Sequence, residues 1–472
     1  MRKRSATPSP LLHWTPQSPS PAVRALCWLM ALEVILAFVG GASSGARGMT
    51  PVIQMVALAI IPLAAWVWTG PGLRPPVGAL VLLTLALATP LVQLIPLPEG
   101  VWTHLPSRGR VVEILQASGV PLGSMPLSLT PTKTMDAFLW MLPPAALFLG
   151  AAALDLRQRL WLASVVVAVL LGSILLATLQ VSSGYARIFQ FYDEVHGLLP
   201  IGFFANRNHQ AAALAVGLPL MAAVTMVWRR TLKGQWTLPQ LLFIGLLALF
   251  LVGILITTSR AGLALGGAGV AFAIALYLFG SRSDGEPRGQ SWWLLAIAVL
   301  VVLIVQLAVG AVLVRFESIG TEGRLWIWPT VIHAMRDSFP AGTGLGSFTV
   351  IYDAYEPLAV LGPSYVNEAH DEYLQLALET GLIFPVLLIG FLAWAANRLV
   401  VTSRSPSWNQ AALAWASAGG ISILMAASIV DYPLRTTALG GVFAVLCAFL
   451  TEPQTTSAPK WQRAGRGKAG RG

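Results

Sequence analysis

The chain has 472 residues, of which 56% are hydrophobic and only 11% are charged, and its mean hydropathy is +0.71. Too few polar residues are present to cover a soluble globular protein, so the composition excludes that class and indicates a polytopic membrane protein. The net charge of +10 comes largely from Lys and Arg at the termini and in short connections. This distribution is typical of a membrane protein and argues against a nucleic-acid partner.

Apolar runs long enough to cross about 30 Å of hydrocarbon predict an all-α fold, a polytopic membrane bundle of about twelve transmembrane helices. In chain order the predicted spans are 23–41, 50–69, 77–97, 136–154, 160–180, 203–228, 238–257, 261–280, 292–314, 373–398, 409–430 and 437–452. The seventh and eighth are separated only by "TTSR", which predicts a tight hairpin. The Pro-rich N-terminus, 1–22, shows no small-residue cleavage site and is expected to remain as a disordered arm, like the basic tail 453–472.

Lys and Arg set the expected orientation, because the cytoplasmic loops of membrane proteins carry the excess of these residues. Placing the N-terminus in the cytoplasm puts nineteen of the thirty Lys and Arg on that side. An even number of spans then leaves both termini in the cytoplasm. The outer face receives two long connections, near 98–135 and at 315–372, and the spans fall into two groups, 23–314 and 373–452.

The polar insert 315–372 is the stretch most suggestive of function, because long ordered loops are usually functional. Its first part predicts an amphipathic helix that begins near Arg324, since apolar residues recur there at spacings of three and four. These residues are Leu325, Trp328, Ile332, Met335 and Phe339. A helix lying on the membrane surface with Arg324 solvated is the alternative. Gly342, Gly344 and Gly346 predict a bend with positive φ, since no strand precedes them as in a phosphate loop.

His370 lies where this insert returns to the membrane and is the candidate for acid–base chemistry. The sequence predicts Asn367 as the N-cap and His370 in the first turn of the tenth span, where the positive end of the helix dipole favours neutral imidazole. A neutral imidazole is what a general base needs. The alternative is a boundary histidine that only forms hydrogen bonds at the membrane interface.

Arginines gather at the same predicted boundary. Arg260 ends the "TTSR" hairpin, and Arg207 begins the sixth span beside Asn208 and His209. Each arginine could simply extend toward water from the edge of the membrane. With Arg324 they would instead suit a phosphate-bearing ligand, because guanidinium binds phosphate through a rigid fork and keeps its charge. The other residues that we expect to contact substrate on this side are Arg336, Asp431 and Arg435.

Four motifs follow one another in a characteristic order: "FANRNH", "TTSRAGLALGGAG", "GRLWIWPTVIHAMRDSFPAGTGLGSF" and "HDEYLQLALETGLIF". The first two open spans, the third lies in the large outer loop and the fourth leads back into the membrane. In this arrangement, over about residues 160–450, the chain resembles the O-antigen ligase and polymerase superfamily of bacterial polytopic glycosyltransferases. The upstream "PLSLTPTKTMDAFLW" is also similar to what many members carry.

The resemblance implies a multi-pass enzyme of the bacterial inner membrane, active in polysaccharide biosynthesis. Such enzymes pass a glycan from an undecaprenyl pyrophosphate carrier to an acceptor hydroxyl on the periplasmic face, and the implied reaction is an inverting displacement with no metal or other cofactor. Arg260 matches the arginine of the family's Ser-Arg span, Arg324 the arginine that opens the loop helix, and His370 the histidine before the late span. The two arginines would hold the pyrophosphate while His370 orients or deprotonates the hydroxyl. The family commonly has Pro at Arg207, and Asp371 stands where Asn is frequent.

The sequence is compatible with more than one acceptor. A ligase would move a finished polymer to lipid A-core, a polymerase would extend a growing O-antigen or exopolysaccharide, and some members glycosylate proteins. A polysaccharide or lipid transporter is an alternative from a different class. It would place ionisable residues near mid-membrane and pair two broken helices, and Glu33 is the residue clearly placed within a span.

Overall fold

The computed structural model describes residues 19–43, 48–70, 73–192, 199–231, 237–282, 322–362, 365–405 and 407–454. Most of this part of the chain is helical. A two-residue antiparallel pair, β1 (Pro96–Leu97) with β2 (Met125–Pro126), is its one sheet.

Sixteen α-helices occur in the described residues. They are α1 (Pro21–Gly40), α2 (Thr50–Trp68), α3 (Val77–Gln93), α4 (Glu99–Trp102), α5 (Gly109–Ala117), α6 (Pro131–Ala152), α7 (Leu156–Ser182), α8 (Arg207–Thr231), α9 (Thr237–Ile256), α10 (Arg260–Arg282), α11 (Glu322–Ser338), α12 (Phe348–Tyr355), α13 (Glu372–Thr380), α14 (Ile383–Ser403), α15 (Trp408–Ala427) and α16 (Thr437–Leu450). Short 3-10 turns lie at Arg187–Phe189, Leu358–Val360 and Pro433–Arg435.

Nine of the described helices are long and apolar enough to cross a membrane, and α3 and α16 are shorter apolar helices. The protein is therefore a polytopic helical membrane protein, as predicted. Eleven of the twelve predicted spans fall on these helices, and the remaining one, 292–314, lies outside the described residues. The hairpin between α9 and α10 is also confirmed, because only three residues separate the two helices.

The expected continuous span at 373–398 is divided into α13 and α14. Gly381 ends α13 with φ of +57°, and a Cβ there would lie 2.1 Å from the carbonyl oxygen of Pro340. The close approach of the outer insert therefore requires glycine and breaks the helix. Glu379, Thr380 and Gly381 interrupt the apolar run at this point, a local signal that the prediction of one continuous span passed over.

Helix α8 lies at the centre of the bundle and packs against α7, α9, α10 and α15. Its inward face is rich in alanine, including Ala211, Ala215 and Ala222, all buried. Small residues let neighbouring helices approach closely in a membrane protein. This packing fixes the first turn of α8, which carries Arg207, Asn208 and His209.

The outer insert has a small apolar core of its own, separate from that of the bundle. Its helix α11 confirms the predicted amphipathic helix, but the buried face is centred on Ile327, Val331 and Ala334. The predicted face is rotated from this one, and Phe339 is exposed. Apolar residues lie on both of these faces of the helix, and packing against α12 and α13 decides which face is buried.

The glycine-rich turn after α11 confirms the predicted bend. Gly342, Gly344 and Gly346 all have positive φ, of 75°, 105° and 82°. The turn is fixed by backbone hydrogen bonds, from Gly344 N to Glu379 O at 2.9 Å and from Leu129 N to Thr343 O at 2.9 Å. These bonds join the insert to α13 and to the outer loop before α6.

Candidate active site

A cavity of about 1650 Å³ lies where the segments between the long helices meet the bundle. Its polar end is formed by the first turn of α8, the segment before α13, and the turn between α15 and α16. An apolar arm continues between α3, α6, α14 and α16. The residues that line this arm include Leu83, Leu87, Phe148, Leu388, Phe391 and Ala444.

Asp431 lies directly behind the polar end, against His209 and His370 of the cavity lining, and is only 3% exposed. Its Oδ2 accepts hydrogen bonds from Asn208 Nδ2 at 2.9 Å and Asn206 Nδ2 at 3.3 Å, and its Oδ1 accepts one from Tyr432 N at 3.0 Å. Ser259 Oγ donates to Asn208 Oδ1 at 2.7 Å. The start of α8, the α9–α10 hairpin and the α15–α16 turn therefore fix this carboxylate together.

Two imidazoles flank the same carboxylate. His370 Nδ1 lies 3.5 Å and His209 Nε2 lies 3.6 Å from Asp431 Oδ1, and both rings pack against the Tyr432 ring. Burial alone would raise the pKa of Asp431, but the two imidazoles outweigh it and hold that pKa far below its usual range. His209 is buried, whereas the His370 side chain is 31% exposed and lines the cavity.

The prediction that Asn367 caps this helix with His370 in its first turn is wrong. Helix α13 begins at Glu372, and the Asp371 carboxylate is the cap, accepting hydrogen bonds from Tyr373 N and Leu374 N at 3.0 Å each. His370 precedes the cap with φ of +52°, in the left-handed region. Asp is as good an N-cap as Asn, so the residue that differs from the family's common Asn has a clear role.

Arg435 lies in a second charged cluster at the same end of the cavity. Its Nη2 donates to Glu379 Oε2 at 2.9 Å, and its Nε lies 3.7 Å from Glu368 Oε2. Glu372 accepts a hydrogen bond from Ser428 Oγ at 2.8 Å. Burial raises the pKa of Glu372 to about 7 even though Arg435 and Ser428 lower it. Burial also raises the pKa of Glu368, against the opposing effect of Arg435.

The predicted arginines differ in their placement. Arg207 lines the cavity and donates from Nη1 to Thr258 Oγ1 at 3.4 Å. Arg260 begins α10 directly after Ser259; its side chain is exposed and is not among those lining the cavity. Arg324 lies in the first turn of α11, but its side chain is outside the described part of the structure. Arg336 is exposed on α11, away from the cavity lining.

Sequence reasoning left out several residues that form the site. Asn206 and Tyr432 are each next to a predicted site residue in the sequence. The signals that could have identified them are the polar run "NRN" at 206–208 and the pair "DY" at 431–432. Glu368, Glu372 and Glu379 were not singled out. A signal existed, because glutamates next to an otherwise apolar span need a buried partner, and Arg435 is that partner for two of them.

The fold and the site together define a multi-pass helical membrane protein with a carboxylate–imidazole cluster in a large amphipathic cavity. Residues 244–391 match the family model described as O-antigen ligase, which confirms the family resemblance predicted from the motifs. No curated protein matches the chain. The family match indicates a glycosyltransferase of the ligase or polymerase type, acting on lipid-linked glycans in a membrane. The matched segment includes Arg260, Arg324 and His370.

Proposed function

We propose that this protein transfers a glycan from an undecaprenyl pyrophosphate carrier to an acceptor hydroxyl on the periplasmic face of the bacterial inner membrane. The observation that carries the proposal is one cavity with two unlike parts. His370 lines its polar end, with the buried Asp431 carboxylate 3.5 Å behind it, and its arm is apolar. A charged pyrophosphate joined to a long prenyl chain has the same two parts.

His370 serves as the base in this reaction. Asp431 lies against Nδ1, which leaves Nε2 for the acceptor hydroxyl, and the carboxylate stabilises the imidazolium that forms. The acceptor oxygen forms a bond to the anomeric carbon as the bond from that carbon to the pyrophosphate oxygen breaks. The hydroxyl proton passes to His370, and attack opposite the leaving group inverts the anomeric centre.

Arginines stabilise the charge on the leaving pyrophosphate. Arg207 lines the cavity, and Arg260 and Arg324 belong to elements that do not line it in the described residues but are hydrogen-bonded to the segments that do. The hairpin carrying Arg260 is bonded to Asn208 through Ser259. Helix α11, which carries Arg324, is bonded to the residue before His370. These links support the assignment of both arginines to the donor site.

The orientation belongs to the same proposal. With the N-terminus in the cytoplasm, the Lys and Arg excess is cytoplasmic, and the polar end of the cavity faces the periplasm. The acceptor is lipid A-core for a ligase or a growing glycan for a polymerase. A strain lacking the gene distinguishes the two, because full-length unattached polymer indicates a ligase and a single attached repeat indicates a polymerase.

The decisive test is transfer by the purified protein from an undecaprenyl pyrophosphate-linked glycan in the presence of a chelator. We expect product with the wild-type protein and its loss, by 10²-fold or more, with His370→Ala, the order expected for removal of a general base. His333→Ala is the matched control, because His333 is an exposed histidine on α11 outside the cavity. Equal activity of the two variants would refute the site. Loss of activity on chelation would refute the metal-independent mechanism.

A further inference from the structure

The backbone at His370 is held in a conformation that residues other than glycine rarely adopt. Its φ of +52° lies in the left-handed region, which is strained for such a residue and persists only where the surroundings impose it. Backbone outliers of this kind concentrate at functional sites. The contacts that impose this conformation are therefore of interest for the proposed reaction.

The backbone N–H and the backbone oxygen of the preceding residue, Ala369, both form hydrogen bonds with side chains. Ala369 N donates to Gln375 Oε1 at 2.8 Å, and Ala369 O accepts from Trp328 Nε1 at 3.1 Å. Ala369 is fully buried, so loss of either partner would leave a buried backbone group unsatisfied. The two side chains together restrain both backbone polar groups of this residue.

The chain after His370 is fixed as well. Asp371 caps α13, and Glu372 N donates to the backbone oxygen of Ser428 at 2.9 Å. Rotation of the backbone at His370 would therefore break hydrogen bonds on the Ala369 side or on the α13 side. On the Ala369 side the restraint comes from two side chains rather than from a helix end.

Trp328 comes from outside the cavity. It belongs to α11, no described side chain of which lines the cavity, and it lies four residues after Arg324. The Trp328–Ala369 bond is therefore a direct link between the helix that carries an arginine of the donor site and the residue beside the base.

We infer that Trp328 and Gln375 are positioning residues that hold His370 in register with Asp431, and that Trp328 couples helix α11 to the base. The inference rests on the proposed function for its chemistry. The hydrogen bonds on which it depends are properties of the fold and can be tested without turnover.

The first test is hydrogen–deuterium exchange of the purified protein, read on peptides that cover residues 366–374. Trp328→Phe keeps an aromatic ring but removes the N–H donor. We expect exchange there to become about fivefold faster, as loss of one net hydrogen bond predicts. Trp326→Phe is the matched control, since Trp326 is exposed on the same helix, and it should leave exchange unchanged. Gln375→Met removes the acceptor on the other side and should act like Trp328→Phe.

The second test is steady-state transfer with the undecaprenyl pyrophosphate-linked donor. Trp328→Phe should lower kcat by about tenfold while the KM for donor stays within twofold, and in a His370→Ala background it should cause no further loss. A general packing defect would add to the loss in that background. Unchanged exchange with Trp328→Phe, or an additive loss, overturns the positioning role. Faster exchange combined with no transfer by the wild-type protein would overturn the proposed function alone.

Discussion

Asp431 receives bonds from three separate parts of the chain, and its geometry explains why a carboxylate rather than an amide is present. Two Asn side chains and a backbone N–H donate to it, while two imidazoles approach the oxygen Oδ1. An anionic carboxylate suits these surroundings, because it can accept a hydrogen bond from each of these groups. An amide at this position would present a donor to some of these donors.

Asp431→Asn should therefore impair the base without removing the side chain. We expect transfer activity to fall by about 10²-fold or more, because the charge that stabilises imidazolium is lost. The matched control is Asp337→Asn: Asp337 lies 3.5 Å from His333, as Asp431 does from His370, but on an exposed surface. Equal effects of the two substitutions in the transfer assay would show that Asp431 has no special role.

Glu372 should make stability depend on pH. Its pKa is about 7 in the folded protein, against 4.5 for an ordinary glutamate. Between these values the folded protein binds more protons than the unfolded chain, so stability decreases as the pH rises from about 4.5 to about 7. The thermal midpoint in detergent should fall across this window, and the fall should be smaller in Glu372→Gln.

The control for this pH series is Glu113→Gln, since Glu113 is an exposed glutamate on α5. It should leave the dependence of the thermal midpoint on pH as it is in the wild-type protein. If Glu372→Gln showed the wild-type dependence as well, the buried carboxyl would not be the group that titrates.

At the scale of secondary-structure elements, the sequence predicts the features that depend on local composition. Apolar runs locate the helices of the bundle, and three glycines locate the bend after α11. It does not predict features set by distant contacts. The buried face of α11 follows from its packing on α13, and the cap at Asp371 falls four residues after the predicted one.

The glycine bend gives a prediction at this scale. Gly344 has φ of +105°, and a Cβ there would lie 2.3 Å from Ser128 Oγ. Gly344→Ala should destabilise the protein by about 1–3 kcal/mol through backbone strain and loosen the insert from the outer loop. Gly123→Ala is the control, since a Cβ at Gly123 meets no atom within 4 Å. Similar thermal midpoints for the two variants would contradict the close packing of this bend.

At the scale of the whole molecule, the site is an assembly of residues far apart in the chain. Asn208 and His370 meet the Asp431 carboxylate, and Ser259 bonds to Asn208, only because the start of α8, the α9–α10 hairpin, the segment before α13 and the α15–α16 turn lie at the same end of the bundle. Predicted sidedness indicates which residues share a face of the membrane. It carries no information about which of them touch, and so it could not separate Arg207, in the cavity, from Arg336, outside it.

The apolar arm extends the site into the membrane, which makes the length of the donor lipid a test of the whole arrangement. Ala444 lines the arm on α16, and Ala444→Phe should fill part of it. Each buried methylene contributes about 0.8 kcal/mol, so displacing two or more should raise the KM for an undecaprenyl donor by about tenfold. A donor with a short prenyl chain that stays near the pyrophosphate should be used as well by the variant as by the wild-type protein. If the variant discriminated equally against both donors, the arm would not hold the lipid.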